Sequence, residues 1–375
     1  MKKSAWWVVG IVVLAVIAIV AVSSSGKNSS QNGPIKIGVI LPLSGDAATF
    51  GEPIGNGIRL AAKQINDAGG VNGKQIDLQF EDSKCDGQAA VSAAQKLINV
   101  DGVRFIIDDV CSGDVLANAS VIDSAKVLAI SPGATSPKIS GVSQFVFRNA
   151  PSDAGRGVAI AALVMKSYKA PAIISEKTDY SQGLHDTYVA ELTKQGMKTV
   201  SDETFGSDTT DFRSILLKVK ASNPDVVFLN PQIPENLVRL ATQARNIGIK
   251  AQFVASEFND PTVTAAGTAT EGMIIAVAPG LSQAGKGGEL LAAYKTAYGT
   301  DATYPYYVGA AYDDLHLFVQ GIDQVGNEPI KVRDYLHGLK SYQGTIGTYS
   351  FDSNGDIIGI TFVFQKVVNG KAVNI

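Results

Sequence analysis

Short apolar runs alternate with stretches of helical spacing along this chain from residue 35 onward. Ile35-Lys36-Ile37-Gly38-Val39-Ile40-Leu41 is apolar nearly throughout and is stopped by Pro42, which predicts a strand buried on both faces. A loop is predicted over 44–51. Ile54, Ile58, Ala61, Ala62 and Ile65 then recur at helical spacing and end at Gly69-Gly70. Ile76, Leu78 and Phe80 alternate as in a second strand. Asp86 is placed to cap a helix running to Val100, with Ala90, Ala93, Ala94 and Leu97 inward. Strands are predicted over 103–107 and 127–130.

The alternation resumes after Arg148. Strands are predicted over 172–175, around Val200, and over 225–229, 253–255 and 273–277. Helices are predicted over 182–195, 212–221, 235–247, 290–298, 307–325 and 330–339. The chain closes on a turn over 351–357 and a return strand over 360–364. Such alternation implies parallel sheets covered by helices on both faces. With 375 residues, two sheets in two lobes fit ordinary domain sizes better than one large sheet. In this architecture ligands sit beyond the carboxyl ends of strands, and the natural site is the cleft between lobes.

The N-terminus departs from this pattern. Met1-Lys2-Lys3 is basic, and an uncharged run of about 18 residues follows, ending at Ala21-Val22-Ser23. This is the pattern of an export signal. The run is also long enough to span a bilayer, and Trp6 and Trp7 stand at its start, so cleaved signal and retained anchor both stay open. No cysteine near its end supports a lipid anchor. Residues 23–33 are polar and read as a spacer.

Export bears on the two cysteines, Cys85 and Cys111, which are expected to pair in an oxidising compartment. A bridge between them would contribute roughly 3 kcal/mol by loop entropy. A net charge of −3 leaves no footprint for nucleic acid.

Each cysteine follows a predicted strand, and Ser131-Pro132-Gly133-Ala134-Thr135 follows a third. Three strand ends, one pair cross-linked and two carrying hydroxyls, form a shelf for a small anion. Ser112 and Thr135, with backbone N–H groups at helix starts, suit a carboxylate. Glu257, after the strand ending at Ser256, suits an ammonium group. Enzymatic readings fail on the same residues. Gly55-Asn56-Gly57-Ile58-Arg59-Leu60 has leucine at the third small position of a dinucleotide fingerprint and lies inside a helix. The histidines 185, 316 and 337 lie in predicted helices without metal-ligand spacing. Ser112 lacks the nucleophile elbow and an identifiable base. No catalytic residue, metal or cofactor is expected.

In order and spacing, several segments resemble the extracytoplasmic solute-binding proteins of branched-chain amino acid ABC transporters, the leucine/isoleucine/valine-binding type. They are residues 35–51, 66–73, Glu81-Asp82 with Cys85-Asp86, Cys111-Ser112, 131–137, Tyr180 with Gly183, and 344–355. The resemblance implies an α/β fold of two doubly wound parallel-sheet lobes joined by three hinge crossovers, near Ala150, Pro279 and Phe351. One lobe would comprise 34–150 and 280–350, the other 151–279 and 351–375, with 1–33 as signal or anchor plus spacer. It implies a carboxylate site at Ser112 and Thr135, and an ammonium site at the Gly133 carbonyl and Glu257. Tyr180 would close over the ligand, and Phe50 and Tyr307 would form aromatic walls. It implies delivery to a membrane permease by a monomeric protein outside the cytoplasmic membrane. One departure stands out. Where these relatives carry a further aromatic, this chain has Gln232, an amide that would be left unpaired beside leucine at a cost of about 1–3 kcal/mol. That points to a polar or larger amino acid, or an amide. A ligand-sensing receptor of the same fold is the alternative, with an amide hydrolase in the cleft a third.

Overall fold

The computed structural model describes residues 33–258 and 260–375. The segment read as signal or anchor lies outside them. Among the described residues no helix is long and apolar enough to cross a membrane.

The first sheet has strand order β2-β1-β3-β4-β5, all parallel. Its strands are β1 (Ile35–Leu41), β2 (Ile76–Asp82), β3 (Phe105–Ile107), β4 (Leu128–Ser131) and β5 (Val146–Arg148). Successive side chains of a strand point to opposite faces, and the burial follows that rule. Ile37, Val39 and Leu41 pack with Phe105 and Ile107 against helices α1 (Ala48–Asp67) and α10 (Pro305–Val325). Ile40 and Ile106 pack on the other face, against α2 (Gly87–Asn99) and α3 (Ser112–Ala125). Asp86 caps α2 by accepting from the backbone of Gln88 and Ala89, as the spacing requires.

The second sheet has order β15-β14-β10-β9-β8-β6-β7. Strands β6 (Pro171–Glu176), β7 (Ser201–Phe205), β8 (Val226–Asn230), β9 (Gln252–Ser256) and β10 (Ile274–Val277) are parallel. β14 (Val363–Val368) and β15 (Lys371–Asn374) close one edge antiparallel. The same two-residue period sorts Val227 and Leu229 to one face and Val226 and Phe228 to the other. The chain leaves the first sheet after Arg148 and enters the second at Pro171. After Val277 it returns to cover the first sheet with α9 (Gly285–Tyr298), α10 and α11 (Pro329–Gly338), and it crosses again before Val363.

Four local expectations change. α1 begins at Ala48, so the predicted 44–51 loop is shorter and Phe50 sits in the first helical turn, with Pro53 inside the helix beyond it. β5 and α4 (Asp153–Ser167), which the pattern left unassigned, occupy the passage between the sheets. The return strand expected over 360–364 divides in two. Ile357 and Ile358 pair with Ser350 and Phe351, while β14 begins at Val363 and pairs with β10. Gly359, at φ 104, breaks the run between them. Phe351 and Ile357 belong to the first core, so the crossing expected at Phe351 falls over 359–362. Finally, Asn369 and Gly370, both at positive φ, make the tight turn of a hairpin between β14 and β15 that the expected elements did not include.

Candidate functional site

The loops beyond the carboxyl ends of β1, β3 and β4 face those beyond β8 and β9. Between them lies a small cavity of about 50 Å³. The first half supplies Phe50, Val110, Cys111, Gly133, Thr135 and Tyr307 to its wall; the second supplies Tyr180, Pro231, Gln232, Glu257 and Phe258. Past Glu257, Phe258 and Tyr307 a larger cleft of about 490 Å³ opens toward Pro279 and Tyr304.

The disulfide holds the shelf. Cys85 and Cys111 are bonded, with Cα atoms 5.6 Å apart and a sequence separation of 26, a closure worth about 3.5 kcal/mol by loop entropy. It ties the turn after β2, where Lys84 and Cys85 take positive φ, to the start of α3. Beneath the shelf lie three buried carboxylates. Asp109 accepts from the Cys111 backbone at 2.8 Å, and Asp108 accepts from Asn118 Nδ2 at 2.9 Å. Asp109, Cys111 and Asp114 come close enough together to suggest a cation site, but the cysteine sulfur is spent in the disulfide. Burial pushes Asp108 up to about 6 and Asp114 up to about 7. A carboxyl whose folded pKa is raised binds more protons folded than unfolded, so its stabilising contribution is complete below about pH 4 and is lost as pH rises through the folded value. The thermal midpoint is therefore expected to fall between pH 5 and pH 8, and Asp114→Asn to flatten that fall in scanning calorimetry. Equal slopes in the two proteins would exclude Asp114 as a source.

The shelf residues are used differently from expectation. Ser112, the first residue of α3, is fully buried, and its Oγ accepts from the Ser136 backbone at 3.1 Å. Its hydroxyl supports the neighbouring loop; its backbone N–H is among the unsatisfied donors of a helix start. Ala134 is buried, and its N–H donates to Ser131 Oγ at 3.0 Å. Neither Ser112 nor Ala134 lines the cavity. Thr135 does, but its hydroxyl donates to Asp153 Oδ2 at 2.7 Å, so it turns lone pairs toward the cavity. Only a single 3-10 turn, Pro137–Ile139, follows it, in place of the expected helix start.

The opposite wall is organised by a residue that the sequence pattern did not single out. Arg156 is fully buried in α4. Its Nε lies 3.0 Å from Asp153 Oδ1, its Nη2 2.6 Å from Glu257 Oε1, and its Nη1 donates to Tyr180 Oη at 3.2 Å. The Nε and Nη2 contacts are off the line of a hydrogen bond and act as charge pairs. The guanidinium also stacks over Phe362 at 3.9 Å. Glu257 takes a positive φ of 57° to present its carboxylate here, a conformation disfavoured in non-glycine residues and concentrated at functional sites. Oε1 accepts from the Ala278 backbone at 3.2 Å, and Oε2 accepts from the Tyr307 hydroxyl. Tyr180 Oη also pairs with Ser256 Oγ at 2.9 Å, and burial holds its phenol well above the ordinary tyrosine range. The visible signal for Arg156 was Gly155-Arg156-Gly157, a lone charge between glycines three residues after an aspartate. Gly157 is required because a Cβ there would lie 2.4 Å from Thr187 Oγ1.

Phe50 stacks on Tyr304, with ring centroids 4.5 Å apart. Gln232 lines the cavity, yet its backbone N–H donates to Glu176 Oε2 at 2.7 Å and its side-chain Nε2 reaches Cys85 Sγ at 2.9 Å. The amide thus links the second half to the disulfide of the first. Two further contacts join the halves: Lys138 pairs with Asp179 at 3.1 Å, and Gly183 packs against Ser136 and Pro137.

Comparison with known proteins agrees with this geometry. A family described as periplasmic binding proteins matches residues 34–371. A leucine-, isoleucine-, valine-, threonine- and alanine-binding protein of Pseudomonas aeruginosa is 29% identical over 355 residues, covering 93% of this chain and 94% of the relative. Among solved structures, the leucine-binding protein LivK of Thermotoga maritima superposes with a TM-score of 0.83 at 25% identity, covering 91% of this chain and 97% of its own. The branched-chain amino acid transporter substrate-binding protein LivJ of Streptococcus pneumoniae, in complex with isoleucine, gives 0.81 at 26% identity, covering 90% and 97%. Two doubly wound sheets, three passages of the chain between them and a cavity at the facing strand ends are the type I architecture, and the chain belongs to the periplasmic binding protein family.

Proposed function

We propose that this protein is the extracytoplasmic solute-binding component of an ABC importer: it captures an amino acid between its lobes and delivers it to a membrane permease. The observation that carries the reading is the cavity itself, walled by strand-end loops of both sheets, with Glu257 on one side and Gly133 and Thr135 on the other. The ligand's ammonium group is assigned to Glu257 and the Gly133 carbonyl. Its carboxylate is assigned to the start of α3 at Ser112 and to Thr135, whose hydroxyl must then turn from Asp153. Tyr180, Phe50 and Tyr307 enclose the remainder. Both lobes contact the ligand only when closed, so binding shifts the population toward the closed form. The lobes comprise 34–150 with 280–358 and 151–279 with 363–375, the third crossing running through 359–362. The protein acts as an exported monomer, and residues 1–33 direct or tether it.

Gln232 bears on the ligand's side chain. Its donor is turned to Cys85 and its backbone to Glu176, so an apolar side chain leaves no amide stranded and the penalty against leucine falls away. The ligand class is accordingly branched-chain or small neutral amino acids. The experiment is a thermal-shift screen of the protein against the twenty amino acids, with calorimetry on the hits. Stabilisation by leucine, isoleucine, valine or alanine is expected. Stabilisation by none of the twenty would overturn the assignment.

A further inference from the structure

The carboxylate assigned to the ligand's ammonium group is already heavily engaged. A carboxylate has about four acceptor sites, and on Glu257 two are taken, by the Ala278 N–H and the Tyr307 hydroxyl, while Arg156 Nη2 lies 2.6 Å from Oε1 as a charge pair. The rest are left for a ligand donor. The charge is engaged as well. Arg156 lies behind the cavity wall, fully buried, shared between Asp153 and Glu257. Two carboxylates and one guanidinium leave a single net negative charge, and the positive member is the one 2.6 Å from Glu257. With little water between them, that guanidinium offsets much of the field that Glu257 exerts on a cation in the cavity.

We infer that Arg156 is a specificity-determining residue that sets the charge class of the ligand: by compensating Glu257 from behind, it admits small 2-hydroxy carboxylates beside amino acids. A hydroxyl in place of the ammonium supplies one O–H donor, which a free acceptor site of Glu257 satisfies. The inference rests on the reading that an amino acid's ammonium group faces Glu257. Arg156 acts through Glu257 and does not itself touch the ligand.

The test compares paired ligands by calorimetry: L-leucine with (S)-2-hydroxy-4-methylpentanoate, and L-alanine with L-lactate. In the wild-type protein each hydroxy acid is expected to bind within about a hundredfold of its amino acid, because the hydroxyl keeps a donor for Glu257; the far stronger rejection shown by polar sites falls on analogues that lack one. Arg156→Gln exposes the Glu257 charge and should raise the preference for the amine at least about tenfold. Arg156→Lys keeps the charge and should leave the preference near that of the wild type, whereas a purely structural role for the residue would leave it unchanged in Arg156→Gln as well. If Arg156→Gln fails to fold, the wild-type ratio decides alone. Amino acids bound with hydroxy acids rejected by more than about a hundredfold, or a ratio unchanged in folded Arg156→Gln, overturns this inference and leaves the amino-acid reading standing. Binding of none of the four compounds by folded wild-type protein overturns the amino-acid reading and this inference with it.

Discussion

Gly183→Val is expected to weaken amino-acid binding by on the order of a hundredfold, about 2.7 kcal/mol, while the ligand-free protein keeps its thermal midpoint. Gly183 lies in the helix Asp179–Lys194 of the second half. A Cβ added there would sit 2.8 Å from both Ser136 Oγ and Pro137 Cδ of the first half. Both neighbours are held: Pro137 by its ring, and the Ser136 backbone by Ser112 Oγ. The clash is therefore relieved by moving the halves apart, at the expense of the closed state alone. Forced overpacking of this kind typically costs 1–3 kcal/mol, and the branched side chain places it at the upper end. The Lys138–Asp179 pair, largely exposed, offsets little of it. Calorimetry gives the affinity, and small-angle scattering should show that ligand no longer compacts the variant. Wild-type affinity in Gly183→Val would mean that the halves do not close on the ligand along this face.

Glu257→Ala should cost at least about 2 kcal/mol of amino-acid affinity, the usual loss when one partner of a buried charged hydrogen bond is truncated. It should also lower the stability of the ligand-free protein. Arg156 would keep only Asp153 as a counter-charge, and a buried charge deprived of a partner is destabilising. Removal of the side chain does not relieve the positive φ of 57° at this position, because alanine is disfavoured there as well. Measuring the ligand-induced shift relative to each protein's own midpoint separates the two losses. Affinity unchanged from wild type would remove Glu257 from the ligand's surroundings.

The contrast between these residues shows where the sequence was legible. Burial on both faces made the β1, β3 and β4 strands visible, because Ile37 and Val39 need one layer of helices and Ile40 another. The disulfide and the three strand ends of the shelf followed from the same runs. The partners of individual polar groups were not legible, because they come from segments distant in the chain. Ser112 and Thr135 carry the right hydroxyls, but the pattern does not say that Ser136 and Asp153 engage them first. Asp153 and Arg156 lie in a helix rich in glycine and alanine, whose weak apolar stripe left it unassigned. At the C-terminus Ile357-Ile358 and the strand from Val363 both satisfy a two-residue period, and only Gly359 separates a hairpin on the first sheet from an edge of the second.

The helix Pro305–Val325 covers one face of the first sheet, yet it lies far downstream of that sheet's last strand at Arg148. At a synthesis rate of roughly 5–20 residues per second, the part of the apolar face of Ile37, Val39, Leu41 and Phe105 that α1 leaves open waits on the order of ten seconds for this helix. The second sheet is completed later in the chain, since β14 follows the β10 strand it pairs with by more than 80 residues. The nascent chain thus cannot complete the first core before Ile357, or the second sheet before β14, has emerged. Over that interval it remains pliable enough to be threaded through a narrow pore, and open to any chaperone that recognises bare apolar strands.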